Sequence, residues 1–275
     1  MPKELRGGYP TFWREFGHGP REALMIHCSL SHSGAWTALA GELSDMLHMT
    51  AFDIPGHGRS EDWDNRDDIQ AVTTAMAADF PDGPVDVIGH SFGGTVALRL
   101  AIEHPHLVRS LTLIEPVFFA VAFADVPGLK QRHHDREKPQ LDAMARGDMT
   151  AAAQAFNGLW GDADMPWDSL PEQMRANMTK RFGAIISARP AVEEDSGYML
   201  RSGNLEKIPF PTLLLEGAKS PEILGLVNEG LQRRLPDARR EILPDSGHML
   251  PITHPQQVGA LIREFLETVP AGVPA

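Results

Sequence analysis

Val85-Asp86-Val87-Ile88-Gly89-His90-Ser91-Phe92-Gly93-Gly94 is the stretch on which the fold turns. Val85, Val87 and Ile88 make a short β-branched apolar run, the pattern of a buried strand. Gly-x-Ser-x-Gly follows at once, and Thr95-Val96-Ala97-Leu98-Arg99-Leu100-Ala101 continues as a good helix former. A strand that becomes a helix within one or two residues has to bend sharply. Gly89 and Gly93 remove side chains that would collide at the bend, and Gly94 lets the helix pack closely. Ser91 stands at the apex, its hydroxyl pushed out near the positive end of the new helix. This is a nucleophile elbow.

Outward from the elbow, short apolar strands alternate with amphipathic helices. Tyr9-Pro10-Thr11-Phe12-Trp13-Arg14-Glu15-Phe16 predicts an opening strand at the sheet edge, and Ala23 to Ser29 a buried one. Trp36, Leu39, Leu43, Met46 and Leu47 fall on one helical face. Met49 to Asp53, Leu111 to Ile114, Thr212 to Leu215 and Glu241 to Leu243 predict further strands, with a helix over 68–80. The last two helices carry Ile223, Leu224, Val227, Leu231 and Leu235, then Val258, Leu261, Ile262, Phe265 and Leu266. Such alternation predicts an α/β architecture, a mostly parallel sheet covered by helices on both faces. The tail from Val269 to Ala275 is expected to fray.

One segment breaks the alternation. Residues 117–208 show no strand pattern, only helical stretches interrupted by Pro and Gly, with Met144, Met149, Met165, Met174, Met178, Met199, Trp160 and Trp167 among them. We expect a core of 1–116 and 209–275 and a helical lid of 117–208, its Met and Trp roofing an apolar cavity over Ser91.

Composition bounds the function. With 275 residues, 42% of them apolar, the chain can bury a full core. A formal charge of −12 argues against nucleic acid or an anionic membrane as partner. Cys28, the one cysteine, excludes an internal disulfide and a multi-cysteine metal site. No apolar run approaches the ~18 residues of a membrane span, and no leader pattern opens the chain, so a cytoplasmic protein is expected. Oligomeric state is unreadable.

A serine hydroxyl is a poor nucleophile until a base takes its proton. Twelve histidines are available, so position must select the base. His248 lies just past the last strand, and loops past strand carboxyl ends gather at one edge of a parallel sheet, where Ser91 also sits. His27, His57 and His90 fall in turns and are expected to support loops. His104, His106, His133 and His134 are expected at helix ends or on a solvated lid surface.

With these motifs in order, His27-Cys28-Ser29, Asp53-Ile54-Pro55-Gly56-His57-Gly58-Arg59-Ser60, Gly89-His90-Ser91-Phe92-Gly93-Gly94 and Ser246-Gly247-His248, the chain resembles the α/β-hydrolase superfamily. The resemblance is to its lid-bearing branch of esterases, lactonases, epoxide hydrolases, dehalogenases and carbon–carbon bond hydrolases. It covers nearly the whole chain outside the lid. It implies Ser91 as nucleophile, His248 as base, and an oxyanion hole made of the backbone N–H groups of Ser29 and Phe92. No cofactor and no metal are expected.

Two departures stand out. Cys28 replaces the glycine of the family's His-Gly oxyanion turn, where it is expected either to line the site or to serve as a small buried thiol. Ser220, in Gly217-Ala218-Lys219-Ser220, stands where the family usually carries its acid. Glu115, Glu216, Glu222 and Asp245 are the candidates to replace it. Glu115 ends the strand after the elbow helix, a place where some members of the superfamily carry the acid, and the order Ser91, Glu115, His248 fits. Glu115 is the choice.

A serine rather than an aspartate at the elbow argues against epoxide hydrolysis and dehalogenation. The expected reaction is hydrolysis of an ester, lactone or thioester through a Ser-His-Glu triad and an acyl-enzyme. Carbon–carbon bond hydrolysis, perhydrolysis, or slow-turnover binding of a small ligand are the alternatives. The expected partner is a largely apolar small molecule, touched by Cys28, Trp160, Trp167 and Met249.

Overall fold

The computed structural model describes residues 4–66, 68–161 and 165–270. Tail residues 271–275 lie outside them, and with them most of the expected frayed end. β1 (Glu4–Arg6) and β2 (Tyr9–Thr11) form a small antiparallel hairpin. Its two-residue turn is Gly7-Gly8, both at positive φ (54° and 78°), as the primed turns of tight hairpins require.

The main sheet follows: β3 (Trp13–Gly17), β4 (Arg21–Ile26), α1 (Thr37–Glu42), β5 (Leu47–Phe52), α2 (Ile69–Ala78), β6 (Val85–His90), α3 (Phe92–Glu103) and β7 (Val108–Ile114). Next come α4 (Phe119–Asp125), α5 (Leu129–Ala145), α6 (Met149–Trp160) and α7 (Glu172–Glu193). The chain closes with β8 (Thr212–Gly217), α8 (Glu222–Gln232), β9 (Ala238–Leu243), α9 (Leu250–Thr253) and α10 (Pro255–Thr268). Seven strands lie in the order β3-β5-β4-β6-β7-β8-β9, with only β3 antiparallel. The α/β class read from the alternation is therefore the observed one.

Strand pleating explains the two cores. Leu24, Ile26, Val87 and Leu214 point to one face, under α2, α3 and α8. Met25, Ile88, Leu213 and Leu215 point to the other, under α1 and α10. β6, β7 and β8 are buried along their whole length, as expected of parallel strands covered on both sides. The edge strands β3 and β9 carry Arg14, Glu15, Arg239, Arg240 and Glu241, charges that discourage edge pairing.

Two expectations need correcting. Trp36 to Leu47 do not share one helix: a 3₁₀ turn over Ser33–Trp36 leads into α1, and Leu47 already opens β5. These residues reach one apolar layer from three elements. Pro139 and Pro190 sit inside α5 and α7 rather than ending them, because tertiary packing of the flanking turns outweighs the local loss of about 3 kcal/mol.

Between β7 and β8 the described residues form helices alone. The two ends of this segment, Phe118 to Ala122 and Met199, Leu205 and Ile208, join the main core, and α4 packs on α8. α5, α6 and α7 share a small core of their own, built from Ala143, Ala152, Ala153, Trp167, Leu170, Phe182 and Ile185. Trp63 Nε1–H donates to Ser187 Oγ at 3.0 Å, tying α7 to the loop after β5.

At the amino edge of the sheet Asp86 is buried and accepts from Arg21, Arg109 and Ser110. Burial alone would raise its carboxyl, but the bonds from Arg109 and Arg21 outweigh that and hold it below the usual range. Arg21 also donates to the carbonyls of Leu266 and Val269, capping the end of α10. Asp86→Ala strands two guanidinium groups and should remove about 3–5 kcal/mol of unfolding free energy. Urea denaturation reads this; a loss under about 1 kcal/mol would show the cluster to be dispensable. Because the folded carboxyl titrates low, this contribution is present above the ordinary carboxylate range and is lost as pH falls through the folded pKa.

Candidate active site

Every loop that follows a parallel strand emerges at one edge of the sheet. His90 pairs with Ile114 in register, so Ser91 and Glu115 lie one residue beyond paired ends of adjacent strands. Both have left-handed backbone, φ 55° at Ser91 and 44° at Glu115. Non-glycine residues adopt that conformation only where the surroundings impose it. Here Ser91 N–H donates to Ile114 O at 2.9 Å and Glu115 N–H to Leu215 O at 2.9 Å. A Cβ on Gly93 would run into the Ile26 carbonyl, so the elbow tolerates only glycine there. A Cβ on Gly94 would meet Pro116, which follows Glu115, at 2.9 Å and the Gly89 carbonyl of β6 at 3.3 Å, so Gly94 permits the close packing expected of it.

His248 follows β9 in the turn Asp245-Ser246-Gly247 and is 6% exposed. Its Nδ1 lies 2.6 Å from Glu115 Oε2, and its Nε2 lies 3.0 Å from Ser91 Oγ. A carboxylate only accepts, so the ring proton sits on Nδ1 and Nε2 faces the serine as an acceptor. Glu115 is fully buried, and its other oxygen accepts Gly217 N–H at 2.7 Å. The remaining acid candidates are elsewhere. Glu216 bonds Arg240 and Asn228. Asp245 pairs in solvent with Lys219. Glu222 is exposed at the start of α8. Ser220 Oγ is buried without a hydrogen-bond partner among the described residues.

The oxyanion turn is held from below. Asp53 accepts the N–H groups of Ser33 and Arg59, at 2.6 and 2.7 Å, and so staples loop 27–33 to loop 54–60. His27 Nδ1–H donates to Cys28 O, and its Nε2 accepts Ile54 N–H. His57 Nδ1–H donates to Pro55 O, and its Nε2 accepts Leu30 N–H, fixing Leu30 at φ 61°. His90 donates to the His248 carbonyl at 2.9 Å. All three imidazoles support loops, as expected. Burial drives their pKa values down, to about 4 for His27 and about 3 for His57, with His90 well below its ordinary value. Ser29 and Phe92 face the same small cavity as Ser91 and His248. The Phe92 N–H is one of the N-terminal donors that α3 leaves without an intrahelical acceptor.

That cavity, about 60 Å³, is also walled by Val117, Phe119, Phe156, Trp160, Ile185, Ala188 and Val192. Trp160 stands edge-on to the His248 ring at 5.7 Å. Trp167 lies instead in the core of the inserted helices and, with Met249, along a wider groove of about 1200 Å³ that His248 also lines. Cys28 is buried and lines none of these cavities; burial pushes its thiol up to about 12, so it stays protonated. The methionines of 117–208 do not wall the cavity either.

Polar residues that the sequence reading passed over do. Glu137, Gln140, Arg189 and Glu193 complete the wall. His133, expected in solvent, is 5% exposed, and the helical spacing of 133, 137 and 140 was the available signal. Ligand atoms of His133, Glu137 and Glu193 lie within 4.8 Å of one another. Arg189 contacts both carboxylates and already supplies their counter-charge.

The alpha/beta hydrolase family profile matches residues 23–261. The chain belongs to that family. Lipase LipV of Mycobacterium tuberculosis is 34% identical over 90% of this chain and 94% of its own. The pimeloyl-[acyl-carrier protein] methyl ester esterase of Neisseria meningitidis serogroup A is 32% identical over 90% of this chain and 78% of its own. A thermophilic esterase from Thermogutta terrifontis superposes with a TM-score of 0.71 at 20% identity, covering 97% of both chains, a likeness of fold. This α/β hydrolase is thus an enzyme of the hydrolase class, and no helix among the described residues is long and apolar enough to cross a membrane.

The buried neutral imidazoles give a pH prediction. A histidine whose folded pKa is depressed is protonated more readily in the unfolded chain, so stability falls as pH drops below about 6.5. Each of His27 and His57 should contribute a slope of about 1.4 kcal/mol per pH unit down to its folded pKa. Melting curves between pH 4 and 7 test this, and a flat profile would mean that these rings are protonated in the folded state.

Proposed function

We propose that this α/β hydrolase cleaves carboxylic esters through a Ser91-His248-Glu115 triad and an acyl-enzyme. The observation that carries the proposal is the unbroken hydrogen-bonded line from Ser91 Oγ through His248 to the buried Glu115 carboxylate. Ser91 Oγ attacks the ester carbonyl while His248 Nε2 takes its proton. The imidazolium so formed is stabilised by Glu115. The oxyanion accepts hydrogen bonds from the N–H groups of Ser29 and Phe92. His248 then returns the proton to the departing alkoxide, and the alcohol leaves. Water, deprotonated by His248, attacks the acyl-enzyme and releases the acid. Two relatives of about one-third identity bear names that record ester cleavage, which favours esters over the other carbonyl substrates of the fold. Helices α5–α7 act as the lid, with Trp160 roofing the site.

A fluorophosphonate probe should label the wild type at Ser91 and leave Ser91→Ala unlabelled. Equal labelling of both would remove Ser91 from the mechanism. Glu115→Gln keeps the volume but removes the charge and can favour the wrong imidazole tautomer. Its kcat on a p-nitrophenyl ester should drop roughly a thousandfold or more, whereas Glu222→Gln should cost far less. The reverse ranking would move the acid to α8.

A further inference from the structure

The buried face of α5 is Leu129, His133, Glu137, Gln140 and Ala143, the four-and-three spacing of one helical stripe. A stripe turned inward is ordinarily apolar, yet its three middle members are polar. Arg189 answers part of their demand: it donates to Glu137 Oε2 at 3.0 Å and lies against Glu193 Oε1, while His134 bonds Glu193 Oε2 at 2.7 Å. Two demands remain. Gln140, 1% exposed, has its Oε1 without a partner among the described residues. His133 Nε2 is likewise unpartnered, 3.4 Å from Glu137 Oε1 and off-angle. Buried polar atoms are almost always bonded, so an orphan on a cavity wall points to what the cavity receives. Gln140 and Glu137 line the small cavity that also touches Ser91.

The charges select the ligand. Two carboxylates face one guanidinium and the rings of His133 and His134; an anionic group would meet Glu137 and Glu193, and Arg189 is already engaged. At about 60 Å³ the cavity is far smaller than the roughly 300–1,000 Å³ of drug-sized sites. A long alkyl chain neither fits nor satisfies Gln140. We propose that Gln140 and Glu137 form a polar subsite above Ser91 that accepts hydrogen bonds from a hydroxyl or protonated amine on the short acyl chain of the ester. The proposal rests on the ester-hydrolase function above.

Three methyl esters of matched shape test it: methyl 3-hydroxybutanoate, methyl 3-aminobutanoate and methyl 3-methylbutanoate, with acid release followed by pH-stat. The hydroxyl or amino ester should exceed the methyl-branched one in kcat/KM by about tenfold or more, the worth of one buried hydrogen bond. A preference for the hydroxyl ester identifies a neutral donor; a preference for the amino ester identifies a cation drawn by the carboxylates. Gln140→Leu and Gln140→Met should each bring the ratio towards one, and because the ratio is internal to each protein, a general loss of activity cancels. Calorimetric titration of the same esters into Ser91→Ala should give the same order in Kd. Ester turnover in which methyl 3-methylbutanoate equals or exceeds the others, or in which both Gln140 variants keep the wild-type ratio, overturns the subsite and leaves the triad standing. Absent turnover with the Kd order intact overturns the triad and leaves the subsite. A reversed Kd order overturns the subsite.

Discussion

The Glu115 carboxylate has no access to solvent and divides its oxygens between two donors, Gly217 N–H and His248 Nδ1–H. An unpaired buried carboxylate would be strongly unfavourable, so these donors are obligatory partners. One donor belongs to the end of β8 and the other to the turn after β9. A single side chain therefore ties three adjacent strand ends together at the edge where Ser91 emerges. The imidazole is oriented by the same demand: with Nδ1–H committed to the carboxylate, Nε2 can only accept, and it faces the serine hydroxyl. Backbone geometry completes the constraint, since Ser91 and Glu115 both hold left-handed conformations that only a rigid surround maintains.

A second layer of buried groups fixes the loop opposite. Asp53, His27 and His57 direct their hydrogen bonds to backbone N–H groups of the turns they support. An imidazole can receive such a bond only while that nitrogen is unprotonated. Rigidity of the Ser29 turn and neutrality of these rings are thus one property, and acid would undermine both together. The Cys28 thiol fits among them as a small buried side chain where the family usually has glycine.

Positional signals in the sequence carried the sheet and its functional edge. Glycines flanking Ser91 mark a bend whose steric demand is local, and the loops after successive parallel strands must share an edge, which brings His248 and Glu115 into reach. No pattern, however, separates Glu115 from Glu222 on α8; burial decides that Glu115 meets the ring, and burial is a tertiary fact. The α5 stripe was concealed for a related reason. Leu129-Lys130-Gln131-Arg132-His133-His134-Asp135-Arg136-Glu137 reads as a solvated helix because charge dominates it. What makes Glu137 tolerable inside is Arg189, 52 residues further on, and that pairing exists only once α5 and α7 pack. Similarly, prolines read as interrupting the helical stretches of 117–208, yet packing keeps Pro139 and Pro190 inside helices.

Placing the carboxylate at the end of β7 also changes what the end of β8 is free to do. In the commoner arrangement of the family the acid occupies the loop after β8 and must point inward. Here Lys219, Ser220, Pro221 and Glu222 line the wide groove beside His248, together with Asp245, Met249 and Trp167. The two spaces that meet His248 are consequently unlike in size: a cavity of about 60 Å³ that Ser91 also lines and a groove of about 1200 Å³. His248 is the one residue that lines both, whereas Ser91 lines only the small cavity. Of these two spaces the α5 residues Glu137 and Gln140 line only the small cavity, so the loop after β8 and the polar face of α5 shape different spaces around the same imidazole.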